Sequence, residues 1–152
     1  MTPVLLVSSC ITEKKIIHSK ACYALEIIPG TVKASENDEG VLKNDTVVIV
    51  YIRSKRNDLQ WDSAVVNGQV YKVTSQIISS NRYEAGINAV TGKKELITAA
   101  EGDVLYQLQF QKIKDQKHTT ILNEITLHFR YKEKRFKTIL NKPVFLLQHA
   151  SV

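Results

Sequence analysis

Apolar and polar positions along this chain alternate mostly with a period of two, and almost nowhere with the 3.6-residue period of an amphipathic helix. The exception to alternation is Thr46–Arg53, Thr-Val-Val-Ile-Val-Tyr-Ile-Arg, the most β-branched and apolar run in the sequence. Val47, Val48, Ile49, Val50 and Tyr51 are consecutive, so a strand made of them cannot keep one face in water. It must be covered on both sides and is expected to be the central strand.

Shorter strand patterns surround it. Tyr23–Ile28 reads as a first strand, stopped by Pro29-Gly30. A polar loop over residues 32–45 follows. Ala64–Val73 contains Asn67-Gly68 between two apolar arms, the sequence that a two-residue type I′ hairpin turn requires because both turn residues need positive φ. The second arm is expected to run on towards Ile78. Arg82–Asn88 and Glu95–Ala99 flank a turn at Thr91-Gly92-Lys93. In Asp103–Ile113 an apolar face (Val104, Tyr106, Leu108, Phe110) opposes a mostly amide face (Gln107, Gln109, Gln111), expected to lie outward. Ile125, Leu127, Phe129 and Tyr131 alternate with Thr126, His128, Arg130 and Lys132, giving a strand with a cationic outer face. Glu133-Lys134 is expected to turn the chain into Arg135–Leu140, and Val144–Gln148 closes the series. About nine short strands without βαβ alternation predict an all-β fold, an antiparallel β-sandwich of immunoglobulin-like or transthyretin-like kind.

Composition narrows this picture. A length of 152 residues suits one domain with its own core, and 43% hydrophobic with 24% charged residues is ordinary for a folded body. No run approaches the ~18 apolar residues of a membrane-spanning helix. The net charge of +6 is concentrated: residues 112–142 hold nine basic and three acidic side chains, and the rest of the chain balances. Such asymmetry marks either the solvated faces of strands or a surface for anionic partners. Arg130, Lys132, Lys134, Arg135 and Lys137 are the candidate partner-binding residues.

At the N-terminus, Met-Thr-Pro-Val-Leu-Leu-Val-Ser-Ser-Cys is a short apolar run ending on two small residues and a cysteine. Val7-Ser8-Ser9-Cys10 resembles the lipobox of bacterial lipoprotein precursors. The resemblance implies that Cys10 becomes the first residue of the mature protein and carries the lipid, with residues 1–10 as signal and lipobox, 11–20 as a polar tether and 21–152 as the sandwich. Several acyl chains anchor stably because each buried methylene contributes roughly 0.8 kcal/mol. The alternative is an ordinary N-terminal strand on a cytoplasmic domain. Cys10 and Cys22 are the only cysteines. A lipidated Cys10 leaves Cys22 a lone thiol, whereas an exported chain without the lipid could pair the two.

Motifs for chemistry are sparse. There is no Gly-x-Ser-x-Gly elbow, His-Glu-x-x-His, Cys-x-x-Cys or phosphate-cradling glycine loop, and His18, His118, His128 and His149 are isolated in sequence. No catalytic residue, metal ligand or cofactor is therefore assigned. Glu36, Asp38 and Glu39 supply oxygen ligands suited to Ca²⁺, but their spacing matches no EF-hand and a solvated loop is the simpler reading. Asn44-Asp45-Thr46 fits a glycosylation acceptor, which matters only in a eukaryotic secretory setting. Trp61, the only tryptophan, is expected either to plug one end of the core or to form a stacking platform for a glycan or other ligand.

The expectation is a non-enzymatic module of the bacterial envelope, lipid-anchored, serving as accessory subunit of a membrane-associated assembly. Its architecture resembles a sandwich lipoprotein of a secretion-system membrane complex. The expected partner is another envelope protein or an anionic envelope polymer. A β-sandwich binding a glycan or small ligand through Trp61 and its end loops is the alternative. Nucleic acid is not favoured, since no aromatic and basic recognition motif accompanies the charge.

Overall fold

The computed structural model describes residues 12–27, 45–113 and 124–147. Among these residues the chain is almost wholly β, with one four-residue helical turn and eleven strands. Helix α1 is Glu13–Ile16. The strands are β1 Ile17–Ile27, β2 Asp45–Ser54, β3 Gln60–Val66, β4 Gln69–Lys72, β5 Thr74–Ile78 and β6 Arg82–Ile87. They continue as β7 Lys94–Thr98, β8 Val104–Ile113, β9 Ile125–Tyr131, β10 Lys134–Leu140 and β11 Val144–Phe145.

Three sheets form. Sheet A has the order β11-β1-β2-β8-β5, sheet B has β10-β9-β3-β4, and sheet C is the β6-β7 hairpin. All pairings are antiparallel except β1 with β11, which is parallel. Sheets A and B face one another as a β-sandwich, and sheet C lies on the opposite face of sheet A.

The strand expected at the centre is there. β2 lies third in sheet A, and its even positions Val48, Val50 and Ile52 are wholly buried against sheet B. Its odd positions Val47 and Tyr51 are also buried, Tyr51 packing under sheet C with Ile49 beside it. Two covers explain why this segment does not alternate.

The main core fills the space between sheets A and B. Leu108 and Phe110 of β8 meet Leu127 and Phe129 of β9 there, all at most 1% exposed. Each such side chain contributes roughly 1.5–3 kcal/mol by leaving water. Cys22 lies in this layer as a free thiol, and burial pushes its pKa up to about 12.

Four expectations are corrected. First, residues 12–20 are not a tether. Ile16 is 0% exposed, β1 starts at Ile17, and Thr138 of β10 donates to Glu13 Oε2 while accepting from Lys20 Nζ, each at 2.6 Å. The polar side chains that suggested a linker satisfy a buried hydroxyl instead.

Second, the strand after Asn67-Gly68 does not run through to Ile78. β4 ends in sheet B, the chain crosses at buried Val73, and β5 joins sheet A. The turn itself is as expected, with φ of 51° at Asn67 and 83° at Gly68. Third, the amide face of β8 is not wholly outward: at Leu105 and Gln107 it lies under sheet C. Leu105 is buried under sheet C, and Gln107 donates to Tyr51 Oη at 3.0 Å and to Tyr83 Oη at 3.4 Å.

Fourth, the β9–β10 turn is Lys132-Glu133, one residue earlier than expected. Both residues are left-handed, φ 52° and 67°, so Tyr131 pairs with Lys134 and Arg130 with Arg135. Neither side chain is of the Asn or Gly type that such a turn favours, and each left-handed residue costs on the order of 1 kcal/mol.

Candidate interaction surface

Strand alternation and register decide which side chains share a face. On sheet B, Leu127, Phe129, Phe136, Leu140, Ala64 and Val66 point into the core. The side chains between them point the other way, and among the described residues no other layer covers that outer face.

Register sets these outward side chains in three rows across the four strands. The first places Arg135 opposite Arg130 and Arg130 opposite Gln60. The second runs Lys137, His128, Ser63, Lys72. The third is Ile139, Thr126, Val65, Val70. The surface thus passes from cationic to aliphatic along the strand direction. Ile139 is 50% exposed and Val70 69%, large for β-branched residues on a sheet.

Among the described residues one acidic side chain forms an ion pair with the basic rows. Arg130 Nε donates to Asp62 Oδ1 at 3.2 Å, where a register shift between Trp61 and Ser63 bulges β3. An exposed pair of this kind contributes about 0–1 kcal/mol. Arg130 and Arg135 face each other directly as like charges, an arrangement that costs stability and is relieved by an anion.

Of the five basic residues singled out from sequence, the fold brings three together on this face: Arg130, Arg135 and Lys137. Lys132 sits in the turn, its ammonium 5.3 Å from the centroid of the Tyr131 ring, where the Arg56 guanidinium also lies at 5.2 Å. Lys134 is opposite Tyr131 and so on the core side of the hairpin tip. Two members of the face escaped sequence reading as site residues. His128 was legible only as one more outward position, and Lys72 comes from an arm nearly sixty residues upstream. The Asn-Gly turn fixes Lys72 opposite Ser63, but only the β3–β9 pairing sets it beside His128.

Trp61 lies within β3 and is half-buried. Its indole packs edge-on to Tyr106 (centroids 5.3 Å) and tilted on Phe129 (5.1 Å). That is the position of a core plug. Cys10, the acidic residues Glu36, Asp38 and Glu39, and Asn44 lie outside the described residues.

A second charged group sits at one end of sheet A. Asp103, whose side chain is 3% exposed, has Oδ1 3.6 Å from His18 Nδ1 and Oδ2 4.0 Å from Arg53 Nε. Arg53 Nη1 donates to the Thr98 carbonyl at 2.9 Å. This trio brings together β1, β2 and the residue that leads into β8. Among the described residues His18 makes no hydrogen bond to a hydroxyl or thiol, so this imidazole and carboxylate are not assembled with a nucleophile. No group of three or more His, Cys, Asp or Glu among the described residues is placed to hold a metal ion. No helix among them is long and apolar enough to cross a membrane.

Comparison of the chain with protein-family models, with curated proteins and with solved structures returned no match.

Proposed function

We propose that this protein is a non-enzymatic interaction module of the bacterial envelope, anchored through lipid on Cys10. Its sandwich presents the outer face of sheet B to an acidic partner protein. The observation that carries the binding reading is the register that sets Arg130, Arg135, Lys137 and Lys72 around His128, with Asp62 the only carboxylate ion-paired to any of them among the described residues. Charge of one sign on a sheet face steers and orients an oppositely charged partner more than it adds affinity. The aliphatic row beside it gives an acidic protein an apolar contact as well, which a simple polyanion would not use. The anchoring reading rests on Val7-Ser8-Ser9-Cys10.

Two experiments test the two halves. Polyglutamate serves as the defined acidic probe, measured by calorimetry with wild type and with a Lys72→Glu, Arg130→Glu, Arg135→Glu, Lys137→Glu variant. Binding that weakens with salt and vanishes in the variant, at an unchanged melting temperature, is expected. Equal binding by both proteins removes this face. For the anchor, intact mass of the protein expressed from its own gene in bacteria is compared with a Cys10→Ala form. A species beginning at Cys10 with added acyl mass, absent from Cys10→Ala, is expected; an unmodified chain retaining Met1 removes the lipoprotein reading.

A further inference from the structure

Sheets A and B end in four strand edges among the described residues, and they are not protected alike. An open edge offers unpaired N–H and C=O groups to any passing strand, so proteins guard edges with charge, proline, bulges or shortness. β10 carries Lys134, Arg135 and Lys137; β4 has four residues and ends on Lys72; β11 has two residues. β5, five residues long, has no charge, proline or bulge to guard it. Thr74-Ser75-Gln76-Ile77-Ile78 contains no charge and no proline, and residues 73, 79 and 80 on either side are Val and Ser. Its register with β8 runs unbroken from Thr74 opposite Gln109 to Ile78 opposite Leu105.

The two faces of β5 both look unfinished. Ile77 lies opposite Tyr106 and therefore on the side of the main core, yet it is 53% exposed because the strand overhangs that core. On the other side Gln76 donates to Gln107, and a hollow of about 170 Å³ is lined by Thr74, Ser75, Gln76, Gln107 and Gln109.

We infer that β5 is a dimerisation edge, occupied by β5 of a second copy of this chain in antiparallel register about Gln76. The segment is self-complementary in that register. Thr74 faces Ile78, Ser75 faces Ile77, and Gln76 faces its own copy on the two-fold axis. No like charges meet, in contrast to β10, where the same arrangement would set Lys137 against its own copy. Each amide can donate and accept, so Gln107, Gln76 and their two symmetry mates make one row across the joint. On the opposite side the two Ile77 side chains are diagonal neighbours, about 7–8 Å between backbones, and cover each other's exposed area. A two-fold axis perpendicular to the sheet leaves both sheets B on the same side, so the dimer doubles the cationic face in one direction. An interface of one short strand pair is small, and its Kd is expected to be on the order of micromolar or weaker.

Sedimentation velocity over a concentration series, on the full chain with Cys10→Ser, reads this directly. A reversible monomer–dimer equilibrium is expected, with Gln76→Lys raising the Kd by about tenfold or more while the melting temperature stays near wild type, since Gln76 is exposed and its change sets two ammonium groups on the axis. In the same background Gln76→Cys is expected to yield a disulfide-linked dimer on mild oxidation, because directly opposed residues of an antiparallel pair lie within disulfide reach. A wild type that stays monomeric at every concentration, a dimer indifferent to Gln76→Lys, or a Gln76→Cys form that does not cross-link would each overturn the inference.

Discussion

The two faces of sheet A are built from the same strands but covered by very different layers. Towards sheet B, Val48, Val50, Ile52, Leu108 and Phe110 are wholly or almost wholly buried, and four strands cover them. At the rim of this layer Tyr106 Oη is spent on the loop, donating to the Arg56 carbonyl at 2.6 Å and accepting from Leu59 N at 3.3 Å. Towards sheet C the cover is a single hairpin, and beside the aliphatic Ile97, Leu105 and Leu146 the layer holds Tyr23, Tyr51 and Tyr83 with Gln107 and Glu95 among them. Tyr23 packs edge-on to Tyr51 at 5.8 Å and Tyr51 on Tyr83 at 5.5 Å. A two-stranded cover cannot seal its own margins. Tyrosine suits such a layer because it buries a ring and still brings a hydroxyl to a polar partner. The width of the covering sheet, more than the strand sequence beneath it, sets how polar each layer is.

The contrast is sharpest when one large side chain is removed from the dry layer. Phe129→Ala is expected to cost about 3–5 kcal/mol in urea unfolding, since the ring is wholly buried between Trp61 and Phe136. A loss under about 2 kcal/mol would mean that this layer relaxes as easily as the other. Gly86 tests how closely the hairpin is seated. Its φ is 149°, and a Cβ there would stand 3.1 Å from Leu146 Cδ1, at the register shift of sheet C. Gly86→Ala is expected to cost about 1–3 kcal/mol and to raise hydrogen exchange in β6 and β7 before β2. Exchange rising equally in both layers would show that the hairpin does not open separately.

Tyr51→Phe takes away the acceptor of the Gln107 amide at 3.0 Å but keeps the ring. The expected cost is about 1 kcal/mol, and a stability above wild type would argue that the hydroxyl is not needed in this layer. The smallest effect concerns pH. Burial pushes Tyr51 up to about 12, with Tyr83 adding to the rise and the Gln107 hydrogen bond opposing it; Tyr23 is raised by burial and then by Glu95. The unfolded chain therefore gives up these protons first, near pH 10, and stability falls as pH rises through that point. The slope is at most about 1.4 kcal/mol per pH unit for each tyrosine held protonated. Urea midpoints compared at about pH 8 and pH 11 should fall less in Tyr51→Phe than in wild type, and equal falls would place the alkaline loss elsewhere.

Much of this architecture was legible because β sequences announce burial by alternation. β2 broke the alternation and proved to be covered twice; Asn67-Gly68 named its own turn. What escaped depends on contacts distant in sequence. Nothing in Val70–Ile78 tells where a continuous alternation leaves one sheet for another at Val73. Gln107 of β8 looked solvent-facing because the hairpin whose Tyr83 it reaches is specified elsewhere. Glu13 and Lys20 read as linker because Thr138, which they satisfy, lies over a hundred residues away. For the interaction surface, period two was enough to align Arg130, Arg135 and Lys137. It could not assign Lys132 and Lys134, since a turn of two non-glycine left-handed residues leaves no signature in composition.

The parallel pairing of β1 with β11 also has a mechanical side. Tyr23 runs alongside Val144 and Ala24 alongside Phe145, and Leu146 N donates to the Ala24 carbonyl at 3.0 Å. If tension is applied between residue 17 and residue 147, the two strands are drawn past one another along their length. Their bonds then carry the load side by side instead of opening one at a time, so a pull between these points meets a shear clamp, while a sideways pull on β11 alone would peel it.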